Sequence, residues 1–181
     1  DGLAPIEDPN GSEWGYMDAQ GQLAISYQWG EVYGFNEGLA PVSNWYVSEA
    51  ESDDGWAYID KKGNVVIGYY DWNECSEFRK GIAFVCVDLS EDDASDKWGV
   101  INTKGEWIVE PYYDYVDGDI QYITSDERSC CLRTNDDEVL NFYMHKNELY
   151  YSLSYSGEWD INMPSGKIDL SMPLTIKHFS E

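Results

Sequence analysis

Three tryptophans, Trp14, Trp56 and Trp98, stand 42 residues apart, and three glycines, Gly21, Gly63 and Gly105, keep the same interval. A fixed period of this length means one supersecondary unit repeated in tandem, and no such unit buries its apolar surface without its neighbours. Asp18, Asp60 and Asn102 fall in register as well, as do Met17, Ile59 and Ile101. Asp or Asn followed three positions later by Gly is the pattern of a hairpin loop built on a type I turn. The polar side chain accepts a turn N–H and the glycine takes φ > 0. In the strand ahead of the turn, Trp56, Tyr58 and Asp60 share one face while Ala57 and Ile59 share the other. Both faces carry apolar residues, so both are expected to be covered, with the tryptophans along the packed axis. Gly15 and Gly99, directly after tryptophan, leave space for a neighbouring ring or backbone. Ala57 in the same place shows that the position needs room rather than positive φ.

The units extend to both sides of the hairpin. A strand of one type precedes each tryptophan, as in "EGLAPV" at residues 37–42 and "GIAFVCV" at residues 81–87. A short apolar strand and an aromatic stretch such as "GYYDW" at residues 68–72 follow each turn. The copies run over residues 2–37, 38–80 and 81–119. A worn copy at residues 128–154 places Asn147 where the glycine belongs, and a closing hairpin at residues 155–181 repeats the interval from Trp159 to Gly166. The expectation is a single all-β repeat domain of antiparallel hairpins or three-stranded units in an open stack, with a propeller-like arrangement as the alternative. No segment shows helical periodicity. Because "DGLAP" at residues 1–5 matches the second half of "FNEGLAPV" at residues 35–42, the upstream half is expected on a removed segment.

Charge narrows the partners. Against 11 Lys and Arg stand 35 Asp and Glu, a formal net charge of -24 spread along the whole chain. That field repels nucleic acid and anionic membrane surfaces, and it leaves cations, basic proteins and neutral polymers. No apolar run reaches the length of a membrane-spanning helix. A bond between Cys75 and Cys86 across the turn at residues 78–81 is geometrically conceivable, the alternative being buried thiols. Cys130 and Cys131, adjacent in a strand, point to opposite faces.

Candidate chemistry is sparse. His145 and His178 lack Cys or His partners at ligand spacing, and neither sits beside a nucleophile. Acidic runs at residues 51–54, 91–96 and 116–119 match no alternating calcium loop and read as solvated edges that attract cations weakly. Carboxylates are plentiful, but a glycosidase needs one unique, desolvated pair. No enzyme activity, cofactor or metal is expected. Eight tryptophans, 15 tyrosines and five phenylalanines make up 15% of the chain. Seven aromatics outside the tryptophan column, Trp29, Trp45, Tyr46, Tyr70, Trp72, Tyr112 and Tyr113, are candidates for a ligand-stacking strip for sugars or a choline-like cation, or else for core between copies.

"WGYMDAQGQLAI" at residues 14–25, "EGLAPV" at residues 37–42 and "KWGVINTKGEWIVEPYYDYV" at residues 97–116 resemble the bacterial WG repeat, also called the KWG repeat. The resemblance covers residues 1 to about 118 and fades beyond. It implies β-rich repeats in bacterial proteins, often exported, at the cell surface or joined to other domains, with no shared catalytic residues; a cytoplasmic location is the alternative. Ala57 departs from the pattern, as does the loss of Trp-Gly in the fourth copy, so the C-terminal third is expected to pack differently. "GWAYIDKKGN" at residues 55–64 also resembles choline- and glucan-binding cell-wall hairpins, whose repeats are about half as long. The first function expected is a non-catalytic module that binds a protein or polymer. A carbohydrate or cell-wall binder comes second and a glycan-active enzyme third.

Overall fold

Strands follow one another along the chain and pair with their sequence neighbours, the outcome expected when short apolar segments alternate with tight turn signals. The computed structural model describes residues 1–44, 55–70, 72–88, 96–118, 129–155 and 165–174, and among these it contains no helix. The chain divides into two compact units, Asp1–Phe78 and Arg79–Glu181.

In the first unit, β1 (Leu3–Glu7), β2 (Trp14–Asp18) and β3 (Leu23–Trp29) form one antiparallel sheet. A second sheet contains β4 (Glu31–Val32), β5 (Leu39–Ser43), β6 (Trp56–Asp60) and β7 (Val65–Tyr70), and β8 (Trp72–Cys75) follows. In the second unit, β9 (Ile82–Asp88), β10 (Asp96–Asn102) and β11 (Trp107–Tyr113) are antiparallel neighbours. A five-stranded meander then joins β12 (Tyr115–Asp117), β13 (Ser129–Arg133), β14 (Glu138–His145), β15 (Glu148–Tyr155) and β16 (Ser165–Lys167). None of these sheets closes into a barrel.

The hairpin turns have the expected chemistry. Asp18 Oδ1 accepts from the N–H groups of Gln20 and Gln22, at 2.9 and 2.8 Å, and the Gly21 N–H donates to the Asp18 carbonyl. Asp60 repeats both side-chain bonds with Lys62 and Asn64, and Asn102 repeats them with Lys104 and Glu106. Gly21, Gly63 and Gly105 all have φ near +80° (78, 83 and 80°). The Asn64 amide, together with the N–H groups of Asn64 and Lys62, holds the exposed Asp60 carboxyl below the ordinary carboxylate range. A carboxyl depressed in the folded state adds stability above its unfolded pKa, and that contribution is lost as pH falls through the folded value. Asp60→Asn keeps the acceptor, as Asn102 does, and is expected to flatten the acid limb of stability below about pH 4. Melting curves over the acid range check this.

Why tryptophan is followed by glycine emerges from the register. Between Trp14↔Trp29 and Tyr16↔Ile25, β2 advances two residues while β3 advances four. β10 and β11 show the same offset, from Trp98↔Tyr113 to Val100↔Val109. This bulge curls the facing strand over the glycine: a Cβ on Gly15 would lie 2.5 Å from the Ile25 carbonyl oxygen, and one on Gly99 would lie 2.7 Å from that of Val109. Neither glycine has positive φ, so space is indeed what the position requires. In the second copy Trp56 pairs with Tyr70 and Tyr58 with Ile67, a step of three residues against two. With that shorter bulge the fully buried Ala57 fits.

The deepest column is not the tryptophan column. Trp56 is buried, but Trp14 and Trp98 are only half-buried, whereas Tyr16, Tyr58 and Val100, two residues on, are fully buried. Tyr16 packs edge-on against Phe35 at 4.8 Å between ring centres, and Tyr58 packs against Phe78 at 4.7 Å. Each hydroxyl reaches a backbone carbonyl, Tyr16 to Tyr33 at 2.9 Å and Tyr58 to Ser76 at 2.8 Å. Burial raises both phenol pKa values. The phenylalanines open tight two-residue loops, where Glu37-Gly38 and Lys80-Gly81 all have φ > 0, as a type I′ turn requires. Strand β6 is covered on both faces as expected, with Ala57, Tyr58 and Ile59 fully buried.

In the C-terminal third the repeat's turn chemistry falls at Thr134, earlier than the sequence spacing suggested. The Glu138 N–H donates to Thr134 Oγ1 at 3.1 Å, and Asp137 takes the glycine's place at φ 66°. Lys146-Asn147, where the turn glycine was expected, is instead a two-residue loop with φ of 49 and 64°, closing the pair His145↔Glu148. The four cysteines are all buried thiols, and no disulfide joins Cys75 to Cys86. Burial raises the Cys75 thiol pKa well above its ordinary value.

Candidate functional site

A cleft of about 320 Å³ opens beside β11, lined by Asn102, Glu106, Trp107, Ile108 and Glu110 of the hairpin and by Ser171, Met172 and Pro173 of the C-terminal segment. The hairpin side follows from the repeat: the turn after Asn102 delivers Glu106 and Trp107 to the start of β11. The far wall is a strap over residues 168–174. It starts from buried Ile168, whose N–H donates to the Leu149 carbonyl at 2.9 Å, and turns where Asp169 Oδ1 accepts from the N–H and hydroxyl of Ser171. Those bonds from Ser171 lower the Asp169 carboxyl pKa. Leu170 then seats on Gly81, which has no Cβ to obstruct it.

Two bonds tie the strap to the hairpin. The Leu174 N–H donates to the Ile108 carbonyl at 2.7 Å, and the Asn102 side-chain amide donates to the Leu170 carbonyl at 2.9 Å and to Glu106 Oε2 at 2.8 Å. This accounts for asparagine where the other copies carry aspartate, since a carboxylate has no donor for the strap. Asn102→Asp is expected to destabilise the second unit by about 1–3 kcal/mol, because it removes buried bonds and sets a charge against a carbonyl and a carboxylate. Urea denaturation together with strap amide shifts measures the loss.

Chemically, the cleft joins an apolar floor and an indole to an acidic rim. Glu106 and Glu110 supply the carboxylates, and the exposed Lys104 ammonium stands 4.0 Å from Glu106. Among the described residues, no three His, Cys, Asp or Glu side chains gather as metal ligands.

The aromatics singled out from sequence do not converge on one surface. Trp29, Trp72 and Tyr113 are buried, so their ring faces are spent on packing. Tyr113 reaches Glu138 Oε1 at 3.3 Å, and its phenol pKa is raised by burial and by that carboxylate. Tyr112 is half-buried, edge-on to Tyr113 at 5.3 Å. Tyr70 pairs with Trp56 at the end of β7. Trp45 and Tyr46 lie outside the described residues, as do His178 and the acidic runs at 51–54 and 91–95. His145 is exposed on its turn, edge-on to Tyr150 at 5.7 Å. Sequence reasoning passed over Trp107, Glu106, Glu110 and the strap; the one signal of them was asparagine at 102.

Comparison with known proteins bears on the hairpins directly. A family model of the WG-containing repeat matches residues 14–44, 56–88 and 98–120. These three copies are WG-containing repeats. Each match starts at the tryptophan whose following residue lies under the β-bulge, so the Trp-Gly pair of the first and third copies marks a half-buried ring and a place where the opposite strand leaves no room for a Cβ. The third WG repeat carries the cleft. No curated protein and no solved structure matches the chain.

Proposed function

We propose that this chain is a non-catalytic interaction module whose WG repeats present an acidic surface to a basic protein segment. The observation that carries the reading is the charge: 35 acidic against 11 basic residues on a fold whose turns carry half-exposed Asp18 and Asp60 and whose cleft rim exposes Glu106 and Glu110. Such a field raises the local concentration of cationic partners and speeds their encounter. Burial of Trp29, Trp72 and Tyr113 weighs against the sugar-stacking strip.

Titration calorimetry with octalysine tests the proposal. Saturable binding of fixed stoichiometry is expected at low salt, weakening steeply toward 1 M salt, where the screening length contracts to roughly 3 Å. Absence of heat at low salt would remove the basic partner.

A further inference from the structure

The strands β3, β7 and β11 are one strand in three copies, and each bulges at its second residue. Met17↔Leu23 is followed by Tyr16↔Ile25, Ile59↔Val65 by Tyr58↔Ile67, and Ile101↔Trp107 by Val100↔Val109. Ala24, Val66 and Ile108 are therefore the residues with no opposite number in the hairpin. In the third copy that residue is covered: Ile108 is 1% exposed, its carbonyl accepts from Leu174, and Leu174 packs against the apolar core of its unit. In the second copy the matching Val66 is 50% exposed and Val65 beside it is 41% exposed.

We infer that the outer edge of β7 at Val65–Val66 is a docking site for an extended, apolar segment of a basic partner, seated there as the strap is seated on Ile108. The inference rests on the interaction-module reading and specifies its partner. The strap supplies the template, since the same bulged position of the same repeat takes the end of the strap, past its Asp169–Met172 turn, through the Leu174 N–H bond and the apolar Leu174 side chain. Addition of an extended segment to a free sheet edge draws affinity from main-chain bonds and selectivity from alternate side chains. A second copy of the chain is disfavoured as occupant, because each carries a net charge of -24. A segment flanked by Lys or Arg meets attraction instead.

The probe is a synthetic peptide with the strap's Leu-Ser-Met-Pro-Leu-Thr sequence flanked by one lysine at each end, added to the full chain labelled with nitrogen-15. Saturating amide shifts are expected along β7 from Val65 to Gly68, and Val66→Lys is expected to weaken binding roughly tenfold by placing a charge on the edge. Val66 is exposed, so the variant should melt like the parent. Shifts that avoid β7, or that Val66→Lys leaves unchanged, overturn the inference. So do β7 shifts that follow protein concentration without peptide, which would make a second copy the occupant. Octalysine binding with no response of β7 to the strap peptide removes the edge site and leaves the module reading standing. A β7 response without octalysine binding keeps the edge as a docking site and overturns the basic character assigned to its partner.

Discussion

Gly99→Ala is expected to destabilise the chain by about 3 kcal/mol, the upper range for overpacking a filled interior. The added methyl would lie 2.7 Å from both the Val109 carbonyl oxygen and the Trp107 ring and 3.0 Å from the Pro111 nitrogen. Two of these three are backbone atoms of a bulged strand, so relief requires the strand to straighten. Straightening shifts the register that pairs Trp98 with Tyr113. Gly15→Ala is expected to cost as much in the first unit, where Ile25, Ser26 and Tyr27 backbone atoms occupy the space. Ala57→Gly is the control. It removes a buried methyl and adds backbone freedom, about 1–2 kcal/mol together, with no change of register. Urea midpoints at constant slope report the three values. Should Gly99→Ala match the parent, the explanation of the Trp-Gly pair fails.

Phe78→Ala is expected to cost about 3–5 kcal/mol, the range for deleting a buried ring. Phe78 is fully buried, 4.7 Å from the Tyr58 ring centre, and Tyr58 also stands 6.1 Å from the Trp72 ring centre. The tyrosine itself is held by its bond to the Ser76 carbonyl, so Tyr58→Phe keeps the packing and is expected to lose only about 1 kcal/mol. A double-mutant cycle between positions 58 and 78 should give a coupling of about 0.5–1.5 kcal/mol from ring contact alone. A coupling near zero would mean that the two rings fill space independently.

The repeat period and the turn grammar were legible without coordinates because both are local. Asp60 to Gly63 folds through bonds among neighbours, so an Asp or Asn three positions ahead of a Gly gives the same loop at residues 18 and 102. Thr134 shows the limit of reading letters. A threonine hydroxyl supplies the acceptor and Asp137 the positive φ, so the same loop forms without the Asp and Gly that announce it. Spacing alone pointed instead to Asn147, where a different two-residue loop closes the hairpin.

The periodicity by itself determined that this protein is built from antiparallel hairpins, where the turns of the first three copies fall, and that the residue after tryptophan needs space; these depend on backbone geometry within a few residues. Only the tertiary structure decided which rings are core. Trp29, Trp72 and Tyr113 vanish into packing while Trp14 and Trp98 stay half-open, because burial depends on what a distant segment lays over a face. The strap on β11 is the clearest case. It brings Leu174 onto Ile108 across 66 positions of chain, a contact marked in the sequence only by asparagine at 102, and leaves the matching Val66 half-exposed.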